Sequence, residues 1–166
     1  MMRRRQLSLV FHGAFFMLVA MSTGTPGFYI AIHQNLEDPT RMYFRQAHSI
    51  LIATGIWMIA TGGVLPLLKL ADRGLSVLVY SLIASGYTFL IALGVLGFGV
   101  LGIASILNPP TKQAPLWDQL TNAPYYLGYV YIVLVSVSGL LSFIAIVAIV
   151  YGAYKAKRLS PLDAIH

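Results

Sequence analysis

The sequence predicts an all-α membrane protein, a bundle of four transmembrane helices, and two observations support this fold class. Hydrophobic residues make up 58% of the 166 residues and charged residues only 10%, a balance that is typical of membrane proteins and not of soluble domains. The apolar residues also gather into four long stretches, each able to cross a hydrocarbon core about 30 Å thick. A single membrane domain, residues 1–166, is therefore expected, with helices over residues 7–32, 39–68, 75–106 and 125–154.

The charged residues lie at the ends of these segments. With the N and C termini in the cytosol, the 11 lysines and arginines divide into eight on the inner side and three on the outer side, as the positive-inside rule requires. The net charge of +6 therefore indicates membrane orientation, and no nucleic-acid partner is expected. Cysteine is absent, which excludes disulfides, thiolate catalysis and iron–sulfur clusters. We expect an integral protein of a bacterial inner membrane.

The first segment follows a run of three arginines and has His12 and Gly13 near its inner end. A short polar link leads from it to the second segment and begins with His33. The simplest interpretation of His33 is a position at the lipid headgroups. Pairing with His48, which lies on the same outer side, is the alternative.

The second segment organises the chain. Asp38 is a favourable N-cap and Pro39 suits the first helical position. A helix over residues 39–68 would be about 45 Å long at 1.5 Å per residue, so its first turns lie in the headgroup layer. His48 then lies near the outer boundary of the hydrocarbon, where an ionisable side chain is a functional-site hypothesis.

Helical spacing places two cations, the imidazole and four small or branched apolar residues on one face of this helix: Arg41, Arg45, His48, Ile52, Gly55, Ile59 and Gly62. An imidazole below two guanidinium groups suits haem, because the iron binds nitrogen and the propionates bind cations. Gly55, with Gly62, would leave room for a flat ring. The competing interpretation is a histidine hydrogen-bonded to a neighbouring helix, with the arginines at the lipid headgroups.

The third segment is apolar but is interrupted by polar residues and glycines. The third has a polar notch around Ser85 and Tyr87, followed by four glycines that favour close helix packing. The fourth begins among tyrosines that are typical of an aromatic belt at the membrane surface. The glycines, and the small surface that one bundle offers around a large ring, predict a homo-oligomer.

Several short motifs follow one another in order along the chain: His12-Gly13, Ala47-His48-Ser49, Pro66, Ala71-Asp72-Arg73, Gly86 before an aromatic residue, and Ala123-Pro124 with Tyr126-Leu127. In order and spacing they resemble the styrene oxide isomerase family, whose members have a similar length and four-helix layout. The resemblance covers most of the chain and is looser after Thr88.

This resemblance implies a trimer that holds haem b near its subunit interfaces, with His48 as the axial ligand and Arg41 or Arg45 near the propionates. In that family ferric haem acts as a Lewis acid and converts an aryl epoxide to an aldehyde without net redox change. The expected substrate is a small apolar epoxide that arrives from the bilayer.

Some residues differ from the family pattern. A tyrosine and an asparagine on the third helix correspond here to Leu93 and Phe89, and an asparagine on the second helix corresponds to Thr54. Tyr87 or Thr54 would then supply the hydrogen bond to the substrate. A second class of function stays open, in which the protein is a haem-bearing electron carrier, a sensor or a subunit of a larger complex. Its iron would then have a second axial ligand, His33 or a residue of a neighbouring subunit.

Overall fold

The structure is a computed structural model that describes residues 2–33, 39–96 and 125–158, with side chains described over 2–22, 45–96 and 128–158. Within these ranges the chain forms four long helices and no strand. Their bounds are Met2–His33 for α1, Pro39–Val64 for α2, Asp72–Gly94 for α3 and Tyr125–Arg158 for α4. Each contains a stretch long and apolar enough to cross a membrane. The predicted fold class is confirmed.

Some helix ends differ from the predicted boundaries. The α-helix of α2 ends at Val64, and a 3-10 turn, Leu65–Leu67, follows it. The reason is Pro66, which has no N–H to donate to the preceding turn. α3 begins earlier than expected, at Asp72, because Ala71 has an extended backbone and serves as its N-cap. Residues 97–106 of the predicted third segment and the loop with Trp117 lie outside the described residues.

α1 and α2 form the first helix pair and approach each other at two glycines. A Cβ atom on Gly13 would lie 2.7 Å from the carbonyl oxygen of Gly55, and one on Gly55 would lie 2.7 Å from that of Gly13. Only glycine allows this distance, because real Cβ atoms essentially never approach an oxygen so closely. Small residues have this function in many membrane helix pairs.

α3 and α4 form the second pair and are joined by two buried serines. Ser85 Oγ donates to the carbonyl oxygen of Ser138 at 2.9 Å, and Ser138 Oγ donates to that of Ser85 at 3.0 Å. Each such interhelical hydrogen bond contributes roughly 0.6–2 kcal/mol in a membrane. The two pairs meet at Gly86, where a Cβ atom would contact the side chains of Met58 and Phe16 at 2.6 and 2.9 Å.

Three segments meet at one end of the bundle. Arg5 forms a 2.8 Å salt bridge with Asp72 and donates to Ser76 at the start of α3. The backbone N–H of Lys69, between α2 and α3, donates to the carbonyl oxygen of Gly152 near the end of α4. The start of α1, the link between α2 and α3 and the end of α4 therefore lie together. These segments and the first turn of α3 contain the eight cations assigned to the cytosolic side, and that assignment stays a prediction from charge.

Candidate functional site

His48 lies on the face of α2 that packs against α1. Its Nδ1 atom is 2.9 Å from the carbonyl oxygen of Ala20. A carbonyl oxygen can only accept a hydrogen bond, so Nδ1 is the protonated nitrogen. In the neutral ring Nε2 then keeps its lone pair. The hydrogen bond from His48 to a neighbouring helix is therefore present, and it leaves Nε2 able to bind a metal.

This arrangement fits a single axial ligand for haem. Histidines that bind metals commonly donate their other N–H to a backbone carbonyl, which fixes the tautomer and the ring orientation. Arg45, almost one turn before His48, is exposed and forms no salt bridge with another described residue. No group of three or more metal-binding side chains occurs among the described residues.

Gly55 does not face open space within one protomer. A Cβ atom there would lie 2.6 Å from Cγ of Met17, in addition to its contact with Gly13. Gly62, farther along the same face, lies near Gln6 and Leu9 of α1. These glycines determine how closely α1 and α2 approach, and a role of Gly55 beside a cofactor stays a prediction.

A cavity of about 140 Å³ lies between α2, α3 and α4. Thr54 and Phe89, both at positions where the family pattern has asparagine, are among its lining residues. An engineered cavity of about 150 Å³ in another protein binds benzene, whereas pockets for drug-sized ligands measure roughly 300–1,000 Å³. The cavity therefore suits a molecule built on one aromatic ring and is too small for haem.

Tyr87 and Leu93 do not line this cavity. The hydroxyl of Tyr87 is 3.0 Å from Nδ1 of His12. Its ring stacks on Phe15, with centroids 6.0 Å apart, and contacts Phe16. Leu93 is buried in the core. Of the two residues predicted to bind the substrate, Thr54 lines the cavity beside Phe89, and Tyr87 is directed towards α1.

His48 and the cavity lie on opposite sides of α2. At 3.6 residues per turn, Gly55 and Gly62 are within about 40° of His48 around the helix. The lining residues Ile50, Thr54 and Trp57 are about 120–180° away from it. Within one protomer, the histidine and the cavity do not form a single site.

Two functional candidates were missed by the sequence analysis. Ser138 and Ser142 of α4 line the cavity together with Ser85. Their spacing of four residues in an otherwise apolar segment is a signal that was available, because hydroxyls in membrane helices usually face a neighbouring helix.

The side chains of Arg41 and His33 lie outside the described residues, although their backbones belong to α2 and α1. The role of Arg41 near a propionate and that of His33 as a second axial ligand stay predictions.

The four long apolar helices fit an integral membrane protein. The family model of styrene oxide isomerase matches residues 5–154, which is most of the chain. The chain belongs to the styrene oxide isomerase family and is an isomerase-like membrane protein. A search of the curated proteins and a search of the solved structures gave no match.

Proposed function

We propose that this protein isomerises a small apolar epoxide to a carbonyl compound within the membrane, with haem b bound to Nε2 of His48. The main support is the hydrogen bond from His48 Nδ1 to the carbonyl oxygen of Ala20, which leaves Nε2 as the free nitrogen. Membership of the styrene oxide isomerase family supports the reaction class.

When bound, haem b supplies a ferric Lewis acid that polarises the epoxide oxygen. His48 holds the group through one nitrogen, and Ala20 keeps the imidazole in a fixed orientation. The exposed guanidinium of Arg45 would donate a charge-assisted hydrogen bond to a propionate carboxylate. Isomerisation rearranges bonds within one molecule, so the chain has to supply only binding, orientation and exclusion of water.

The complete site requires a second copy of the chain. His48 and the cavity lie on opposite sides of α2, so one copy would contribute the histidine and its neighbour the cavity. A homotrimer, as the family resemblance implies, provides such an arrangement. The exposed apolar side chains of α4, among them Leu140 and Phe143, provide surface that either lipid or another copy can cover.

The haem is tested by the Soret band of protein purified in detergent from cells supplied with haem. The wild type is expected to show the band and His48→Ala to lose it. His12→Ala is the matched control, because His12 has its own partner in Tyr87, and it is expected to keep the band. A colourless wild type contradicts the proposal.

The reaction is tested with a panel of aryl and alkyl epoxides. Aldehyde formation from an aryl epoxide by the wild type, absent in His48→Ala, is the expected result. Absence of turnover across the whole panel contradicts an isomerase.

A second candidate is a haem-bearing protein that is not an enzyme, and the separation of His48 from the cavity within one protomer favours it. The spectrum distinguishes the two candidates. A six-coordinate low-spin ferric haem that ignores azide and epoxide indicates the carrier or sensor. A high-spin haem whose spectrum shifts when an epoxide is added indicates the isomerase.

A further inference from the structure

The last turns of α4 extend beyond the hydrocarbon of a membrane. At 1.5 Å per residue the 34 residues of α4 span about 51 Å, whereas a hydrocarbon core is about 30 Å thick. The end of the helix contains Lys155, Lys157 and Arg158, and all three are exposed. Because cations are costly inside the hydrocarbon, this end of α4 lies at the level of the lipid headgroups.

One side of α4 combines a tyrosine with two of these cations. Tyr151, Lys155 and Arg158 are separated by four and three residues, so at 100° per residue they lie within about 60° of one another around the helix. Lys157 is about 100° or more away from each of them. We call Tyr151, Lys155 and Arg158 the basic face of α4.

The basic face continues towards the middle of the helix as an apolar surface. Leu140, Ile144 and Val147 keep the spacing of four and three residues that leads to Tyr151, and all four side chains are exposed. In a membrane such a surface contacts acyl chains or another helix, and tyrosine rings occupy the level between hydrocarbon and headgroups. Along this side of α4, apolar, aromatic and cationic groups follow in the order in which a phospholipid has acyl chains, ester groups and phosphate.

Arg158 is held by an aromatic ring and keeps its hydrogen-bond donors. Its Cζ atom lies 4.8 Å from the ring centroid of Tyr154, a cation–π contact. Such a contact uses the flat side of the guanidinium, so the N–H groups in its plane can still bind phosphate oxygens. Within the part of the chain that the structure describes, Asp72 is the only acidic residue, and its salt bridge is with Arg5. The basic face therefore has no carboxylate partner among these residues.

The link between α2 and α3 adds a further cation next to the basic face. The backbone N–H of Lys69 donates to the carbonyl oxygen of Gly152 at 3.3 Å, and a Cβ atom on Gly152 would lie 2.9 Å from Cγ of Leu70. The link thus packs directly against α4, less than one turn before Lys155. Since Lys69 is also exposed, two separate segments concentrate positive charge at this place.

We propose that the basic face binds one anionic phospholipid, whose phosphate accepts hydrogen bonds from Lys155 and Arg158. Tyr151 then borders the ester groups, and Val147 and Ile144 contact an acyl chain. Charge complementarity supports this occupant, because an anionic headgroup supplies the negative charge that the described residues do not. Orientation in the membrane requires cations at one end of the bundle but on no particular side of a helix. The inference depends neither on haem nor on the epoxide reaction.

The test compares two lipids with identical acyl chains, phosphatidylglycerol with a negative headgroup and phosphatidylcholine with a zwitterionic one. Native mass spectrometry of the full chain in detergent measures the affinity for each lipid during a titration. We expect phosphatidylglycerol to bind about 25-fold more tightly, since each cation near a headgroup is worth about fivefold. Equal affinity for the two lipids overturns the proposal.

Lys155→Gln and Arg158→Gln are each expected to weaken phosphatidylglycerol binding about fivefold and to leave phosphatidylcholine binding unchanged. Lys157→Gln is the matched control, because it removes the same charge from the same helix on another side, and it should keep the wild-type affinity. Unchanged melting temperatures in lipid-free detergent show that the three variants are folded. An equal loss of affinity in Lys157→Gln overturns the proposal, since only the total charge would then matter.

A second copy of the chain is the competing occupant of this side of α4. The same spectra give the number of chains in each complex. A number of chains that stays the same in Lys155→Gln and Arg158→Gln, together with the loss of lipid affinity, supports the lipid site. A change in that number, without any preference for phosphatidylglycerol in the wild type, shows a contact between copies and overturns the proposal.

Discussion

Tyr87 and Thr54, the two candidates for a hydrogen bond to the substrate, have different surroundings in the structure. The sequence predicted that one of them, Tyr87 or Thr54, supplies a hydrogen bond to the substrate. Tyr87 instead contacts His12 and two phenylalanines of α1, whereas Thr54 lines the cavity. The structure therefore assigns Tyr87 to the contact between α1 and α3, and it leaves Thr54 as the stronger candidate.

This difference leads to a prediction for Tyr87→Phe. The variant loses one hydrogen bond, worth about 1 kcal/mol, and keeps its ring contacts, so a small loss of stability is expected. The turnover of an epoxide should stay within about twofold of the wild type, because one neutral hydrogen bond to the reacting molecule would be worth about fivefold. Thermal unfolding in detergent and initial rates measure the two effects. A large loss of rate at unchanged stability would show that Tyr87 acts in the active site.

At the scale of elements, the helices pair as α1 with α2 and α3 with α4, and a different interhelical contact holds each pair together. The first pair uses the backbone contact at Gly13 and Gly55. The second uses the reciprocal bonds of Ser85 and Ser138. Both contacts depend on small residues that let the helices approach closely, because the hydrophobic effect does not drive helices together in a membrane.

Gly55→Ala tests the backbone contact between α1 and α2. The added Cβ atom would lie 2.7 Å from a backbone oxygen, so the two helices have to move apart, at a cost of about 1–3 kcal/mol. Gly63→Ala is the matched control, because Gly63 lies on the same helix with nothing within 4 Å, and alanine there should be neutral or slightly stabilising. Equal melting temperatures of the two variants would show that the glycine contact does not stabilise the pair.

At the scale of the whole molecule, the orientation in the membrane follows from charge. The segments rich in lysine and arginine lie at the end of the bundle where Arg5 meets Asp72, and the positive-inside rule predicts that this end faces the cytosol. The chain has no cysteine, so each single-cysteine variant has one labelling site. Leu36→Cys should react with an impermeant maleimide from outside the cell, and Ala71→Cys only after the membrane is opened. The reverse labelling pattern would show that the bundle has the opposite orientation in the membrane.

The oligomeric state is a prediction at the same scale. If the complete site needs His48 of one copy and the cavity of another, the purified protein should be a homo-oligomer, and three copies are expected. Native mass spectrometry of detergent-solubilised protein measures the number directly. A monomer that retains both the Soret band and turnover would show that one copy contains the whole site.

The sequence alone determined the four helices, because the length of an apolar stretch and the positions of proline and charge are local properties. It also indicated His48 as a candidate, since an imidazole at that depth in a membrane is rare, and its short motifs suggested the family whose model matches residues 5–154. A single sequence does not show which residues pack against each face of a helix. Packing brings His48 to Ala20, fills the space before Gly55 with α1 and joins serines of α3 and α4 at the cavity. Helical periodicity shows which residues share a face, and only tertiary structure decides what that face meets.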